Sequence, residues 1–399
     1  MPEVKAGPVP RLRFPEFRDT GPWEVKSIAD LSERIAQGGT PATSVAEYWN
    51  GGIPWITPAE MGDDAATHYT SATVRTISAE GLRNSSAELL PVNSVIISSR
   101  APIGYVTINS VEMATNQGCK GIVPCADVHH EFLYFGLLNA KTRLNDIGAG
   151  AGFKEISTSS LAAFQIPVPS LPEQQQIADC LTSLDDLIRA EEGRLGALKD
   201  HKRGLMQRLF PREGETTPRL RFPEFRGAGP WEVKRLGELL ALEYGSSLPE
   251  DQRIDGPFPV VGSNGVVGYH NASLIDGPAI VIGRKGSAGE ISWIENACFP
   301  IDTTFYVKLR RPSDRLDFIK SLLEMHRLPD LVSPGGVPGL NRDDVQVVRT
   351  AIPKPEEQQK IADCLTALDD LIRAQGETIE ALKTHKRGLM NRLFPREVG

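Results

Sequence analysis

At residues 129–131, "HHE", two imidazoles stand beside a carboxylate. Such a trio could begin a metal centre or an acid–base pair, but no further ligand follows at helical spacing. His129 and His130 are therefore expected at the surface. The five cysteines, Cys119, Cys125, Cys180, Cys298 and Cys364, form no C-x-x-C pair, which argues against a zinc or redox motif. They read as free thiols that pack as small apolar groups. "GAGAGF" (148–153) is glycine-rich but follows a helical pattern, the wrong context for a dinucleotide loop. There is no G-x-x-x-x-G-K-[ST] loop, no Asn-Pro-Pro-aromatic motif and no Ser/His/Asp order. The chain reads as one that binds and organises.

The elements that must position its polar groups are written twice. "RLRFPEFRDTGPWEVK" (11–26) recurs as "RLRFPEFRGAGPWEVK" (219–234). "LPEQQQIADCLTSLDDLIRA" (171–190) recurs as "PEEQQKIADCLTALDDLIRA" (355–374), and "ALKDHKRGLMQRLFPRE" (197–213) as "ALKTHKRGLMNRLFPRE" (381–397). Each half is a short opening motif, a variable body and a long repeated block. Two bodies of unlike text, each followed by the same block, indicate a tandem duplication.

The repeated block has a heptad rhythm. Ile177, Leu184, Leu198 and Leu205 fill one seam position, and Leu181, Ile188, Leu195 and Leu209 the other. The second copy gives Ile361, Leu368, Leu382, Leu389 and Leu365, Ile372, Ile379, Leu393. Pro172 suits a first helical turn and Pro211 marks a stop. A helix of about 39 residues would run about 60 Å. Glu191 and Gln375 interrupt the seam at matching positions, as do Lys202 and Lys386. Such residues either specify register or carry their heads out to water. Glu173, Asp179, Asp185, Asp186, Glu191 and Glu192 make the first part of the block acidic; Lys199, Lys202, Arg203, Arg208 and Arg212 make the last part basic. A lone helix favours this polarity. It also favours antiparallel pairing of the two copies.

The bodies read as mixed and strand-rich. Residues 94–108 and 278–294 each suggest strand, basic turn, strand, and 257–270 a hairpin with an Asn-Gly turn. Helices are expected over 130–147 and 315–329. The expected fold is α+β: two mixed α/β bodies, each followed by a long helix, the helices pairing as an antiparallel coiled coil with pseudo-twofold symmetry. At 399 residues, 40 % hydrophobic and 24 % charged, the composition is that of a soluble chain of two or three domains. No apolar run suggests a membrane span, and the N-terminus lacks an apolar signal core, so a cytoplasmic location is the default. A net charge of −7 argues against a simple nucleic-acid coat, although local distribution can override the total.

This plan resembles the specificity subunit of type I restriction–modification enzymes. Residues 21–57 resemble the opening of a target recognition domain of that family, and "FQIPVPSLPEQQQIADCLTSLDDLI" (164–188) with "KRGLMQRLF" (202–210) its repeated helical region. "YGSSLPEDQR", "FPVVGSNGVVGYH", "AIVIGRKGSAGEISW" and "PIDTTFYV" resemble a second, different recognition domain. The resemblance covers nearly the whole chain. It implies recognition domains at 1–170 and 214–354 and spacer helices at 171–213 and 355–399. It also implies a non-catalytic, DNA-binding subunit in host defence, with each domain reading one half of a split target in double-stranded DNA. The helices would space the domains and dock two modification (methyltransferase) subunits. ATP-dependent restriction subunits, acting as translocase and nuclease, would join them. No cofactor is implied in this chain; S-adenosylmethionine, ATP and magnesium would belong to the partners. No membrane is involved. The partners' grip on the duplex would make the negative charge tolerable.

Domains related by a pseudo-twofold axis approach a duplex alike if their half-sites lie about one turn, roughly 34 Å, apart. The bodies differ, so the target should be asymmetric, with an unread gap. A heptad inserted into one helix should change the gap and leave the half-site letters alone. Base reading needs donors and acceptors on loops. In the first body the candidates are Thr40, Thr57, Arg100, Asn116, Gln117 and Lys154. In the second they are Ser263, Asn264, His270, Arg284, Lys285 and Arg342. Arg100 and the Arg284/Lys285 pair hold matching strand–turn–strand places, with phosphate contact as their leading role. Ser263 and Asn264 could instead serve only the hairpin, and Trp49 and Trp55 belong in the core. The basic "HKRGLM" segments (201–206, 385–390) could touch phosphates, face the modification subunits or finish a helix. Two other classes stay open: an enzyme with unrecognised motifs, which would transfer methyl groups alone, and a coiled-coil scaffold with protein- or sugar-binding domains, which would ignore DNA.

Overall fold

The computed structural model describes residues 7–62, 68–100, 102–148, 155–332 and 339–395. The chain divides into two compact units, Met1–Gly193 with Glu377–Gly399, and Arg194–Gly376. Each unit thus combines one variable body, the first part of the long helix that follows it and the last part of the other long helix.

In the first unit the elements run β1 (Glu24–Ser27), β2 (Ser32–Gln37), β3 (Trp49–Ile56), β4 (Tyr69–Thr70), β5 (Thr76–Ile77), α1 (Ala79–Arg83), β6 (Val95–Ser98), β7 (Val106–Asn109), β8 (Ala114–Thr115), β9 (Cys119–Pro124), α2 (His130–Asn139), α3 (Lys141–Ile147), α4 (Thr158–Ala163), β10 (Gln165–Val168) and α5 (Leu171–Leu209). A five-stranded sheet has the order β2-β9-β6-β7-β4, a three-stranded sheet β5-β3-β8, and β1 pairs with β10. β6 is apolar and buried on both faces, as a strand covered on two sides must be. Val95 and Ile97 share a core with Phe132 of α2, while Ile96 joins Ile56 and Met113 on the other face.

The second unit repeats the plan with β11 (Glu232–Arg235), α6 (Leu236–Leu239), β12 (Leu240–Tyr244), β13 (Phe258–Gly262), β14 (Gly265–His270), β15 (Ala279–Gly283), β16 (Ile291–Ile294), β17 (Phe299–Pro300), β18 (Thr304–Leu309), α7 (Leu316–Met325), α8 (Arg342–Gln346), β19 (Arg349–Ile352) and α9 (Pro355–Leu393). Its sheets are β12-β18-β15-β16, β14-β13-β17 and the pair β11-β19. The expected helix over 130–147 turns at Ala140 (φ −88°, ψ 6°), which lets Leu144 join the core of Leu137. That over 315–329 stops at Met325: Arg327 is left-handed, and a short 3-10 turn with Pro329 follows. The hairpin turn lies one residue early. Ser263 and Asn264 form it, and Gly265 opens β14 at φ +94°, where a side chain would be strained.

Both long helices have 39 residues. All sixteen apolar seam residues are buried or half-buried. The outermost do more than face another helix. Ile177 and Leu181 share the first core with Trp23, Phe132, Leu393 and Phe394; Ile361 and Leu365 share the second with Trp231, Phe318, Leu209 and Phe210. In the first unit Asp185 meets Lys386 at 2.5 Å and Glu192 meets Lys383 at 2.9 Å, so numbering rises on one helix as it falls on the other. In the second unit Lys202 meets the matching Asp369 at 2.6 Å. The seam lysines are therefore ion-paired rather than carried out to water.

The opening motif clamps the root of each long helix. Arg13 donates to both carboxylate oxygens of Glu173 at 2.7 Å, and the pair is nearly sealed, with side chains 8 % and 1 % exposed. Arg221 repeats this on Glu357 at 2.8 and 2.7 Å. An acid in a first helical turn also complements the helix dipole.

The "HHE" run is not a surface feature. His129 and His130 are half-buried and Glu131 is buried. Glu131 accepts from Tyr69 at 2.9 Å and pairs with buried His68 at 3.2 Å. Burial opposes ionisation of Glu131, but hydrogen bonds from His68 and Tyr69 and the nearby imidazoles outweigh it and hold the carboxyl at about 2. Burial and the same carboxylate push the Tyr69 phenol up. Among the described residues no helix is long and apolar enough to cross a membrane.

Candidate nucleic-acid interface

In the first unit the loop candidates gather at one end of the sheets. β3 and β8 run parallel, pairing Ile56 with Thr115, and the Asn116 N–H donates to the Ile56 carbonyl at 3.0 Å. This sets Thr57 beside Asn116. Thr40 donates to the Gln117 side chain, and Ser99 N–H donates to Gly118 O at 2.8 Å, bringing Arg100 to the same end. Gln117 and Arg100 are exposed. Thr57 is committed to its own turn, its hydroxyl donating to Glu60 at 2.8 Å. Asn116 accepts from Gly118 N–H at 2.9 Å, and Arg100 lies 3.1 Å from Glu155. Lys154 lies outside the described residues.

In the second unit four candidates collect around one carbonyl and its neighbours. Ser263 Oγ donates to Thr303 O at 2.6 Å, and the Arg284 and Lys285 N–H groups converge on the same oxygen at 2.8 and 3.2 Å. Leu340 N–H donates to Arg284 O at 2.9 Å, which carries Arg342 to this end. Asn264 is exposed in the adjoining turn. His270 sits at the far end of β14, opposite Phe258, and its Nδ1 accepts from Ile254 N–H at 3.0 Å. It holds a loop away from the other candidates.

Two features escaped sequence reasoning. Tyr244, 49 % exposed, has two guanidiniums over its ring, those of Arg284 and Arg342, with carbons 5.1 and 5.4 Å from the centroid. In the first unit Arg75 covers Trp49 at 3.6 Å, and Trp49 meets buried Trp55 edge-on at 5.2 Å. An aromatic directly before a glycine at a strand end, "EYG", was the available signal for Tyr244. Lys120, at the base of the first cluster, is 2 % exposed, and that burial lowers its pKa.

Compared with known proteins, the family described as "Type I restriction modification DNA specificity domain" matches residues 20–200 and 229–384. The MjaIX specificity subunit of a type I restriction enzyme from Methanocaldococcus jannaschii is 37 % identical over 248 residues, 59 % of this chain and 57 % of its own length. This chain therefore spans little over half of that relative. The EcoprrI specificity subunit from Escherichia coli is 24 % identical over 377 residues, 90 % of each chain. Of solved structures, the S subunit of a type I restriction–modification system from M. genitalium superposes with a TM-score of 0.63 at 15 % identity, covering 98 % of this chain and all of that one. A chain from a study of complex assembly and conformational transition in the type I system gives 0.56 at 17 % identity, covering 94 % and 98 %. At such identities these two likenesses speak for the fold alone. With both variable bodies and most of both long helices inside the matched stretches, the chain belongs to the family of type I restriction–modification DNA specificity domains.

Proposed function

We propose that this chain is the DNA-reading, non-catalytic subunit of a type I restriction–modification complex. Residues 1–170 and 214–354 act as the two target recognition domains, and 171–213 and 355–399 as the spacer. The helices pair antiparallel through the heptad seam about a pseudo-twofold axis. One observation carries the reading: matching clamps, Arg13–Glu173 and Arg221–Glu357, root closely similar helices in bodies whose exposed loop ends differ. A twofold frame with unlike ends suits an asymmetric, two-part target. Arg100, Gln117, Asn264, Arg284, Lys285 and Arg342 are the exposed or half-exposed polar groups available to it. Two modification subunits using S-adenosylmethionine dock on the repeated helices, and ATP- and magnesium-dependent restriction subunits complete the complex.

Leu187 and Leu371 support the docking. They hold matching positions on the two helices and remain 44 % and 54 % exposed. A doubled apolar spot suits two copies of one partner. Leu187→Glu with Leu371→Glu should leave stability within about 0.5 kcal/mol and abolish co-purification of the modification subunit. The function itself is tested by selection from random duplex DNA, using the full chain assembled with its modification subunits. Enrichment of an asymmetric motif split by a fixed gap, with binding that weakens as salt rises, is expected. An uninterrupted motif, or no enrichment, overturns the reading.

A further inference from the structure

The duplication supplies an internal control on which polar groups read bases. Backbone contacts put the two loop ends in register. Gly38 N–H donates to Cys119 O and Gly39 N–H to Thr115 O, as Gly245 N–H donates to Thr304 O and Ser246 N–H to Pro300 O. Gln37 pairs with Lys120 where Tyr244 pairs with Phe305. Ile156 N–H donates to Ser99 O where Leu340 N–H donates to Arg284 O, and the bridge Arg100–Glu155 matches Lys285–Gly339. It follows that Arg100 corresponds to Lys285, Ser99 to Arg284, Thr158 to Arg342 and Gln37 to Tyr244.

These positions fall into two kinds. Arg100 and Lys285 are both basic and exposed, although the bodies around them have diverged. The phosphate backbone is the same at every half-site, so a phosphate contact can stay the same in both domains. The other three positions change chemistry completely: buried Ser99 gives way to Arg284, Thr158 to Arg342 and Gln37 to Tyr244, so the second unit carries groups there that can tell its half-site from the other. In the second unit they change together: two guanidiniums arrive with one aromatic ring to lie against. Among the described residues neither guanidinium donates a hydrogen bond, and each Nε is buried without a partner. The nearest acid to Arg342 is Asp343, 3.9 Å from Nε. Cation–π contact with Tyr244, joined for Arg284 by Phe305 at 6.0 Å, restrains each fork before any ligand arrives, which lowers the freedom lost on binding. The edge such a fork fits is the O6/N7 acceptor pair of guanine in the major groove.

We propose that Arg284 and Arg342, braced by Tyr244, read guanine in the half-site of the second domain, while Arg100 and Lys285 hold phosphates. The proposal rests on the DNA-reading function above. Its test is selection from random duplexes by the full chain with its modification subunits, as wild type and as Arg284→Ala, Arg342→Ala and Lys285→Ala. The wild type should select at least one guanine in one half-site. Arg284→Ala and Arg342→Ala should each relax the letter at a guanine in that half-site and weaken the wild-type target roughly 5- to 150-fold. The other half-site should still be selected, which certifies a folded, assembled variant. Lys285→Ala should weaken all sequences alike and lower the salt slope by about one. If the two arginine variants keep their letters and lose affinity for every sequence, the pair is a phosphate clamp and the proposal fails. A wild-type target with no guanine in either half-site overturns it as well. A wild type that selects no motif brings down the parent function instead.

Discussion

Asp185 in the first unit and Asp369 in the second hold the same place in the repeat, yet they are served differently. Asp185 is 6 % exposed, takes Lys386 and lies 3.7 Å from the His68 ring. Asp369 is 32 % exposed and takes two lysines, Lys202 and Lys320, each at 2.6 Å. Their surroundings explain the contrast. Gln174 accepts from the His129 N–H and Gln358 from the Arg315 N–H, so α2 and α7 dock alike on the helix roots. That register sets Tyr134 where the second unit has Lys320. An apolar α2 leaves room for His68, and an amphipathic α7 supplies its own cation. The frame contacts are held while the material around them is exchanged, as the two specificities proposed for this scaffold require.

The largest effect should come from breaking the part that is the same. Glu173→Ala leaves the Arg13 guanidinium without its carboxylate, with only Gly21 O and Thr20 Oγ1 still accepting from it, and should destabilise the first unit by about 3–5 kcal/mol in chemical denaturation. Glu357→Ala should do the same to the second unit, less by about 1 kcal/mol. The difference has a visible source: Trp23 Nε1 donates to Glu173 at 3.3 Å, whereas among the described residues Trp231 Nε1 has no partner. Equal losses would show that the tryptophan bond contributes nothing.

Next in size is the helix ion pair. Asp185→Asn removes the partner of a lysine only 17 % exposed and should cost about 2–3 kcal/mol. Asp369→Asn should cost about 1 kcal/mol, because its more exposed site lets water and Glu324, 3.3 Å from both lysines, take over. A reversed order would mean that the two lysines of the second unit form a stronger site than their exposure suggests.

The pH dependence separates the units further. The Glu131 carboxyl lies at about 2 against an ordinary 4.5, so between those values the unfolded chain binds a proton that the folded chain does not. Stability from this site is complete above about 4.5 and drains away as pH falls towards 2. The carboxylate of Asp369 is also held low, against its burial, by Lys202 and Lys320. Glu131→Gln should flatten the acid limb of the denaturation profile for the first unit alone. A limb that stays as steep would move the acid sensitivity to another carboxylate.

These contrasts also mark what could be read from the chain. The long helices were legible because their seam is periodic and repeated, and the strand pairs because "VIIS" and "AIVIG" are runs that only a doubly covered strand accommodates. The gathering of Thr40, Asn116, Gln117 and Arg100 was legible as a set of polar loop residues, though not as a place. Their adjacency comes from contacts between segments far apart in the chain, Gly39 N–H to Thr115 O and Ser99 N–H to Gly118 O, which local patterns do not encode. The Arg13–Glu173 clamp spans 160 residues and so left no local trace. His68 was missed because a lone histidine before "YTS" looks like any loop residue until α2 covers it. The Tyr244 shelf needed Arg284 and Arg342 from two distant loops.

The smallest effects lie along the helices themselves, where the copies differ by glycine. Gly193 and Gly196 of α5 stand where α9 has Glu377 and Glu380. A Cβ at either glycine meets nothing within 4 Å, so no neighbour requires the small residue. Gly193→Ala and Gly196→Ala should each raise stability by about 1 kcal/mol, through backbone freedom removed from the unfolded chain. The reverse change, Glu377→Gly, should lower it by somewhat less, since glutamate is a slightly poorer helix former than alanine. If the alanine variants gain nothing, the matched positions are not equivalent helix interiors, and the repeat is less symmetric in energy than in sequence.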